Sequence, residues 1–340
     1  MIPIFAITTR GLEPICEREM HQIPGLSIHQ VGYRRIAAAV PELSLALLGL
    51  RTIDDIFLNL ATWQDVISQR AALLDLRLHS AHLDLLSSTA AVAQIRQLPK
   101  RPSFSITASF VGKRNYSTDE IKQSVMQGVT SHFAWEYRED EGNSDLNIRI
   151  FIEHQTAYIG LRLGKQSLQK RSYKQVHTLG SLKPPVAAAM LWLAENRNGL
   201  VIDPFCGAGT ILIEASLMGY PAIGGDLDRN ALLATQNNAR LAGVQPKLAL
   251  WNTSCIPLAS QSAGLVVSNL PWGRQTSTGP ELEQLYCLAC LEIKRILPTG
   301  SRAVLLTSLP EWVPGDYLHI EQRIEISLFG QNPTILILSN

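Results

Sequence analysis

Three polar side chains stand at the ends of short, largely apolar runs in this 340-residue chain. They are Asp203, Asp226 and Asn269. A short apolar run that ends in a polar residue is typical of a buried strand. Open α/β sheets bind ligands at the carboxyl ends of such strands. The pattern therefore predicts that these three side chains contact a ligand.

The stretch 203–210 predicts a turn that leads from a strand into an apolar helix. Gly207 and Gly209 permit a tight turn and let the backbone approach a ligand closely, where a Cβ would obstruct it. A bound phosphate is one candidate, but no Lys-Ser or Lys-Thr pair follows the glycines, so Walker A chemistry is absent. The glycines alone are equally compatible with an ordinary strand–turn–helix connection.

Asp226 ends the next predicted strand, roughly 20 residues after the glycine turn, a separation that suits an acid accepting hydrogen bonds from both hydroxyls of a ribose. A helix over 230–242 should follow and end before Gly243. Alternatively, Asp226 and Asp228 both serve only to cap this helix. Asp228 suits the cap, whereas Asp226, at the strand tip, suits the ligand.

A third stretch, Asn269-Leu270-Pro271-Trp272, follows another buried strand. Together with Asp203-Pro204-Phe205-Cys206-Gly207-Ala208-Gly209-Thr210, it resembles the cofactor site and catalytic loop of class I methyltransferases that methylate amines. Their usual loop is Asn/Asp-Pro-Pro followed by an aromatic residue, so Leu270 departs from it. The same departure occurs in RNA methyltransferases that carry a THUMP domain and methylate guanine in tRNA. The chain resembles that group most.

The resemblance implies S-adenosylmethionine as the cofactor. The cofactor-binding residues would be Asp203, Pro204, Phe205, Cys206, Gly207, Gly209, Thr210, Asp226, Leu227, Asn252 and Asn269. Asn252 stands where the family usually places an acid that accepts a hydrogen bond from the adenine amine. Its carbonyl could accept the same bond, but the substitution leaves a weaker cofactor affinity open.

The catalytic residues implied by the loop are Asn269, Leu270, Pro271 and Trp272. The lone pair of an exocyclic purine amine is delocalised, so the amine is a poor nucleophile. The side-chain carbonyl of Asn269 and a backbone carbonyl at Leu270 or Pro271 can accept its two N–H bonds, and both bonds strengthen as the nitrogen becomes cationic. Trp272 offers a face on which an extruded base can stack.

Basic residues are concentrated in the first half of the chain. Residues 1–183 contain 21 Lys and Arg against 17 Asp and Glu, and no acid lies between Glu153 and Glu195. Such a surplus suits a phosphate backbone, although a solvated linker is equally compatible with the charge alone. The predicted RNA-binding residues are Lys113, Arg114, Tyr116, Lys122, Arg171, Lys174, His177 and Arg274, with Tyr116 as the aromatic side chain for stacking.

The elements that position these residues predict an α/β protein. Its C-terminal part should be a Rossmann-like class I methyltransferase with a seven-stranded, mostly parallel sheet. An N-terminal α+β ferredoxin-like module and a THUMP domain should precede it. The predicted divisions are 1–60 for the module, 61–165 for the THUMP domain, 166–183 for a basic linker and 184–340 for the catalytic domain. Within the module, we expect one β segment over 31–40 and a helix over 43–50.

Several classes of protein are disfavoured. No apolar run is long enough to span a membrane, and the early charges exclude a signal peptide. The five scattered cysteines fit reduced thiols, so we expect a cytoplasmic protein. Cys287 and Cys290 lie in a helical stretch without a second pair, so no metal is assigned. The expected partner is tRNA or another structured RNA, bound by a monomer.

Three alternatives remain open from the sequence. The same loop serves any planar amine, so an adenine-N6 or ribosomal-RNA amino methyltransferase is possible, as is a glutamine-amide methyltransferase. A basic THUMP-like module has no evident use in a protein methyltransferase. A non-catalytic THUMP protein that only binds RNA is the remaining alternative, and Asn252 is its only support.

Overall fold

The computed structural model describes residues 1–178, 180–195, 199–273 and 280–340. The chain divides into two compact units. The first comprises Met1–Thr8 and Glu17–Leu168, and the second comprises Thr9–Cys16 and Gln169–Asn340. Each unit is built on its own seven-stranded sheet. Within these described ranges, no helix has the length and apolar character that crossing a membrane requires.

The sheet of the first unit contains β1 (Ile2–Ile7), β2 (Ser27–Gly32), β3 (Arg35–Val40), β4 (Asp55–Trp63), β5 (Phe104–Val111), β6 (Leu146–Glu153) and β7 (Thr156–Arg162). The helices in this part of the chain are α1 (Glu13–Met20), α2 (Ala72–Ala81), α3 (Leu85–Val92) and α4 (Thr118–His132). The strand order is β2-β3-β1-β4-β7-β6-β5. Neighbouring strands are antiparallel except β5 and β6, which are parallel.

The predicted N-terminal module is present as the β2-β3-β1-β4 part of this sheet. The expected β segment over 31–40 is a hairpin of two strands, β2 and β3. The expected helix over 43–50 is a single 3-10 turn, Leu45–Gly49, since so short a stretch forms too few α-helical bonds to offset nucleation. The predicted division at residue 60 falls inside β4, which pairs with β7, so one sheet joins both predicted modules.

The sheet of the second unit contains β8 (Val201–Asp203), β9 (Ala222–Asp226), β10 (Lys247–Leu250), β11 (Leu265–Asn269), β12 (Arg302–Thr307), β13 (His319–Glu325) and β14 (Thr334–Ser339). Its helices are α5 (Pro184–Leu193), α6 (Thr210–Leu217), α7 (Arg229–Ala242) and α8 (Pro280–Ile296). The helix predicted over 230–242 corresponds to α7, and β8, β9 and β11 end at Asp203, Asp226 and Asn269 as predicted. The antiparallel pairing of β13 with β14 forms a hairpin at the sheet's edge.

The strand order of the second sheet is β10-β9-β8-β11-β12-β14-β13. The first five strands are parallel, and β14 runs antiparallel to β12. The chain winds outward in one direction from β8 through β9 to β10, and in the other from β11. The carboxyl ends of β8 and β11 therefore flank a topological switch point, where open α/β sheets bind ligands.

The short segment Thr9–Cys16 also belongs to the second unit. The amide of Ser327 donates to the carbonyl of Arg10 at 3.1 Å. Gly11 has a φ of +91°, and a Cβ at this position would lie 2.2 Å from the carbonyl oxygen of Glu325. Glycine is therefore required where this segment packs against the end of β13.

Candidate functional site

A cavity of about 750 Å³ lies at the carboxyl ends of β8, β9 and β11. This volume falls within the range of about 300–1,000 Å³ that is usual for ligand pockets. The structure brings most of the predicted cofactor and catalytic residues together in its lining: Asp203, Phe205, Cys206, Gly207, Thr210, Asp226, Leu227, Asn252, Asn269, Leu270, Pro271 and Trp272. Pro204 and Gly209 belong to the turn 203–210 but are not among the residues that line the cavity.

Asp203 is almost completely buried, with 1% of its surface exposed. Its Oδ1 accepts hydrogen bonds from the hydroxyl of Ser268 at 2.7 Å and from the amide of Phe205 at 3.2 Å. Burial raises the pKa of Asp203 to about 7, and the nearby carboxylate of Asp226 acts in the same direction. The two donors oppose this shift. Asp203 therefore fixes the start of the turn.

The glycine turn is held against α7. Gly209 has a φ of +78°, and a Cβ there would lie 2.4 Å from Cγ2 of Thr235. The Thr235 hydroxyl donates to the carbonyl of Gly207 at 2.7 Å. On the other side, the Trp251 indole and the Thr253 hydroxyl donate to the carbonyl of Pro204 at 3.1 and 3.0 Å. The turn is therefore preorganised.

Asp226 projects from the end of β9 into the cavity. Its Oδ2 accepts from the amide of Gly207 and its Oδ1 from the amide of Asp228, both at 2.9 Å. These bonds orient the carboxylate and leave lone pairs for two ribose hydroxyls. The predicted cap is confirmed, because Asp228 accepts from the amide of Asn230 at 2.8 Å. Leu227 is 73% exposed, so it can cover a bound ring.

Asn252 lies just after β10 and lines the cavity. Its side-chain oxygen accepts a hydrogen bond from the amide of Ser254 at 3.0 Å. The carbonyl that was predicted to accept from an adenine amine therefore already stabilises a local turn. One lone pair remains for a ligand, so the predicted contact is geometrically permitted but shared.

The side chain of Asn269 is oriented by two hydrogen bonds at the end of β11. Its Nδ2 donates to the carbonyl of Gly180 at 3.3 Å. Its Oδ1 accepts from the indole N–H of Trp272 at 3.1 Å. The amide oxygen can accept one further bond, so Trp272 holds the predicted acceptor in place as well as presenting a ring.

Leu270 and Pro271 attach this loop to the sheet and to α8. Leu270 is buried, and its amide donates to the carbonyl of Leu306 at 2.9 Å. The carbonyl of Pro271 accepts from the hydroxyl of Tyr286 at 2.8 Å. The leucine that departs from the usual loop therefore serves as an apolar anchor. Arg274, predicted to bind RNA, lies outside the described residues.

The predicted RNA-binding cations after β5 differ in their environments. Lys113 is exposed. Lys122 forms an ion pair with Asp119 at 2.9 Å. Arg114 donates to the carbonyls of Val66 and Ile67 at 3.1 and 3.0 Å, and also to that of His154. The guanidinium of Arg114 is thus occupied in tying three segments of the first unit together.

Tyr116 is not placed as predicted. Only 3% of its surface is exposed, and its hydroxyl donates to the carbonyl of Ile67 at 2.9 Å. A buried ring offers no face to a nucleotide base. The stacking role assigned to Tyr116 from the sequence therefore disagrees with the structure, in which the ring packs in the interior.

The basic linker is fastened to the second unit by its own cations. Arg171 pairs with the fully buried Glu214 at 3.2 Å, and Glu214 also accepts from the hydroxyl of Tyr173 at 2.7 Å. Lys174 donates to the carbonyl of Leu182, and burial lowers its pKa to about 8. His177 is exposed. Arg171 and Lys174 thus have structural partners where the sequence predicted phosphate contacts.

The end of the linker covers one side of the cavity. Asn238 on α7 accepts from the amide of Val176 at 3.0 Å and donates to the carbonyls of Val176 and Ala208 at 2.9 and 3.2 Å. The Ser181 hydroxyl lines the cavity and is buried without a partner in the described part of the chain. A buried polar atom of this kind requires a ligand or water.

The comparisons with known families assign both units. Residues 171–313 match the family described as RMKL-like, methyltransferase domain. Residues 84–162 match the THUMP domain. The chain combines a THUMP domain with an RMKL-like methyltransferase domain. The THUMP match falls within the first unit, and the methyltransferase match includes both loops of the cavity and all of its lining residues except Phe329 and Gln331.

Two curated relatives align with more than half of the chain. The chain is 32% identical over 204 residues to the U6 snRNA (guanine-N(2))-methyltransferase THUMPD2 of Homo sapiens, an alignment covering 58% of this chain and 38% of that protein. It is 29% identical over 213 residues to the tRNA (guanine(6)-N2)-methyltransferase of Thermus thermophilus, covering 61% and 63%. The chain thus spans less than two thirds of each relative.

Among solved structures, TrmN from Thermus thermophilus superposes with a TM-score of 0.80 over the whole of both chains, at 22% identity. This likeness shows the fold, which is that of a class I methyltransferase joined to a THUMP domain. In the described part of the chain, no group of three His, Cys, Asp or Glu side chains is placed to hold a metal ion.

Four residues that shape the methyltransferase site escaped the sequence analysis: Thr235, Asn238, Ser181 and Tyr286. Thr235 and Asn238 are polar residues on the inner face of the amphipathic helix α7, where apolar residues are expected. Polar residues on a buried face require partners, so this pattern was the available signal for them. Ser181 and Tyr286 carry no comparable signal.

Proposed function

We propose that the protein is an S-adenosylmethionine-dependent methyltransferase that modifies the exocyclic N2 amine of a guanosine in tRNA. The observation that carries the proposal is the loop from Asn269 to Trp272, which lines the same cavity as the turn after Asp203 and the carboxylate of Asp226. A cofactor site and two amine acceptors thus share one pocket. The guanine-N2 methyltransferases among the relatives support the choice of base, and one of them acts on tRNA.

The cavity fits the proposed cofactor. The unpartnered Ser181 hydroxyl would hold its polar end, and the absence of a Cβ at Gly207 leaves space beside the turn. Asp226 would accept from the ribose hydroxyls, and Asn252 would meet the adenine edge. The cofactor supplies a sulfonium methyl group that is already electrophilic.

The chain's own residues orient the amine. The carbonyl of Pro271 is already bonded to Tyr286, and we therefore assign the Leu270 carbonyl as the backbone acceptor beside Oδ1 of Asn269. Both acceptors strengthen their bonds as the amine gains positive charge, which stabilises the transition state selectively. The loop contains no histidine or carboxylate, so the amine proton is expected to leave to water after the methyl group has transferred.

The test is incubation with labelled S-adenosylmethionine and bulk unmodified tRNA, followed by nucleoside analysis. Label in N2-methylguanosine supports the proposal. Label in methyladenosine would keep the enzyme class but overturn the assignment of guanine. If no label enters tRNA while cofactor binding is measurable, tRNA is not the substrate, and ribosomal RNA should be assayed next.

Asn269→Ala is expected to lower turnover by roughly 10²–10³-fold, the usual cost of removing one transition-state acceptor or donor. Binding of RNA should change little. The matched control is Asn237→Ala, which removes a half-buried amide from α7 whose Oδ1 accepts from Arg240 at 3.2 Å. A near-normal rate for Asn269→Ala would contradict the acceptor role.

A further inference from the structure

A chain of buried hydroxyl groups ends on the catalytic loop. The hydroxyl of Tyr286, on α8, lies 2.8 Å from the carbonyl oxygen of Pro271 and 2.7 Å from Oγ1 of Thr307, the last residue of β12. Oγ1 of Thr307 also accepts from the amide of Leu309 at 2.9 Å. We call Tyr286 and Thr307 the hydroxyl relay.

The direction of every hydrogen bond in the relay is determined. A carbonyl oxygen can only accept, so the single hydroxyl proton of Tyr286 must go to Pro271. Thr307 must then donate its own proton to the oxygen of Tyr286, and its lone pair receives the amide of Leu309. Each group uses its one proton, so the relay has only one satisfied arrangement.

Burial makes this arrangement costly to disturb. Tyr286 is 1% exposed and Thr307 is fully buried. Burial raises the pKa of Tyr286 to about 12, so its hydroxyl remains a donor at neutral pH. A carbonyl deprived of its donor in such a place would have to find another. The carbonyl of Pro271 is therefore held toward Tyr286.

The same strand end holds the loop from a second direction. Asn269 pairs with Leu306 across β11 and β12, and the amide of Leu270 donates to the carbonyl of Leu306. Thr307, the next residue, supplies the relay. The peptide groups on either side of the Leu270 carbonyl are thus both anchored at the end of β12. The preceding one bonds directly to Leu306, and the following one bonds to Thr307 through Tyr286.

We propose that Tyr286, supported by Thr307, is a positioning residue that fixes the Pro271 peptide and so aims the Leu270 carbonyl and the Asn269 side chain at the amine. The inference rests on the proposed function and deepens it. Tyr286 itself is not among the residues that line the cavity. Its contribution is to hold the Leu270 carbonyl and Oδ1 of Asn269 in the geometry that the reaction requires.

The first test observes the loop without any RNA substrate. The full chain is labelled with 5-fluorotryptophan, and its six tryptophans are followed by ¹⁹F NMR, with the signal of Trp272 assigned by its loss in Trp272→Phe. Tyr286→Phe and Thr307→Val should each shift or broaden the Trp272 signal. Trp312, whose ring packs edge-on against Tyr286 at 6.1 Å, should keep its signal and so report intact core packing.

Two controls separate positioning from general stability. Thr307→Ser keeps the hydroxyl and should restore the wild-type Trp272 signal. Ile293→Val removes one methyl group from the buried face of α8 in the same core and should lower Tm without moving that signal. A Trp272 signal unchanged in Tyr286→Phe, or moved equally by Ile293→Val, would overturn the proposal.

The second test is kinetic and uses bulk unmodified tRNA. Tyr286→Phe should lower kcat about tenfold while KM for tRNA and Kd for S-adenosylmethionine stay within twofold, because misplaced acceptors affect only the chemical step. An equal rise in KM with unchanged kcat would contradict positioning. If the wild type methylates no tRNA, the proposed function fails, and the NMR experiment still decides on the relay.

Discussion

Asp203 shows how one buried carboxyl group couples the site to the stability of its domain. Its ordinary pKa of 3.8 rises to about 7 because burial disfavours the charged form more than its two donors favour it. Between these pH values, the folded protein keeps a proton that the unfolded chain has lost. The stabilising contribution of this group is therefore fully present below pH 3.8 and is lost as the pH rises to about 7.

Asp203→Asn should remove this pH dependence, because an amide keeps an acceptor for Ser268 and Phe205 but does not ionise. At about 1.4 kcal/mol per pKa unit, the shift corresponds to roughly 4 kcal/mol. Measured by thermal unfolding at pH 5 and pH 8, the variant should gain stability relative to the wild type at the higher pH. Asp316→Asn, which removes an exposed carboxylate of the same domain, should show no such gain. Parallel pH profiles of Asp203→Asn and the wild type would contradict the burial argument.

At the scale of single residues, the sequence could predict which side chains stand at strand ends, since apolar runs mark buried strands. It could not predict the partners of cations. Arg114 binds the carbonyls of Val66 and Ile67, which are 48 and 47 positions away, and Arg171 pairs with Glu214, 43 positions away. Only tertiary structure brings such groups together, so a basic pattern alone cannot separate a phosphate contact from an internal bond.

The glycine turn between β8 and α6 depends on close packing against α7 at the scale of elements. Gly209 and Gly243 have similar φ values of +78° and +70°. A Cβ at Gly209 would meet Thr235, whereas nothing lies within 4 Å of one at Gly243. The two positions therefore differ in contact and not in backbone conformation.

Gly209→Ala should be more destabilising than Gly243→Ala, and it should also weaken cofactor binding by displacing the turn. Gly243→Ala should cost only the backbone strain, about 1–2 kcal/mol. Thermal unfolding measures the stability, and calorimetry with S-adenosylmethionine measures the affinity. Equal effects of the two variants on both quantities would show that the contact with Thr235 does not support the site.

Elements with strong periodicity or caps were predictable. Ser117 caps α4 through a reciprocal pair of bonds with Glu120, an arrangement that a serine followed three residues later by a glutamate indicates. The hairpin of β2 and β3 was not predicted as two strands, because its turn contains Tyr33 and Arg34 and neither glycine nor asparagine. Arg34 nevertheless adopts a φ of +55°. The pairing of both strands in the sheet stabilises this turn, although Tyr33 and Arg34 are not residues that favour a two-residue hairpin turn.

At the scale of the whole molecule, the surplus of basic residues in the first half of the chain does not by itself form an RNA-binding surface. Of the cations predicted to contact RNA after β5, Lys113 is exposed, whereas Arg114 and Lys122 have protein partners. Electrostatic attraction to phosphates requires charges that face the solvent. Neighbouring cations should therefore differ in role: Lys113 should bind RNA, whereas Arg114 should stabilise the fold.

Lys113→Ala should weaken tRNA binding and reduce the slope of log K against log salt by about 1, the share of one phosphate contact. Its Tm should stay unchanged. Arg114→Ala should instead lower Tm, because three carbonyls, those of Val66, Ile67 and His154, lose a charged donor worth about 1.5–3 kcal/mol per bond. Filter binding over a salt series and thermal unfolding distinguish the two. An unchanged salt slope in Lys113→Ala would place the RNA elsewhere.

The segment Thr9–Cys16 makes the catalytic unit discontinuous along the chain. During translation, these residues emerge from the ribosome long before Ser327, whose amide they bind through Arg10. The first unit, which ends at Leu168, can fold as soon as it has been synthesised, as N-terminal domains generally do. The methyltransferase domain must wait for the final hairpin before its nascent chain is complete. Premature termination in the last strands would therefore leave a folded THUMP domain beside an unfinished enzyme.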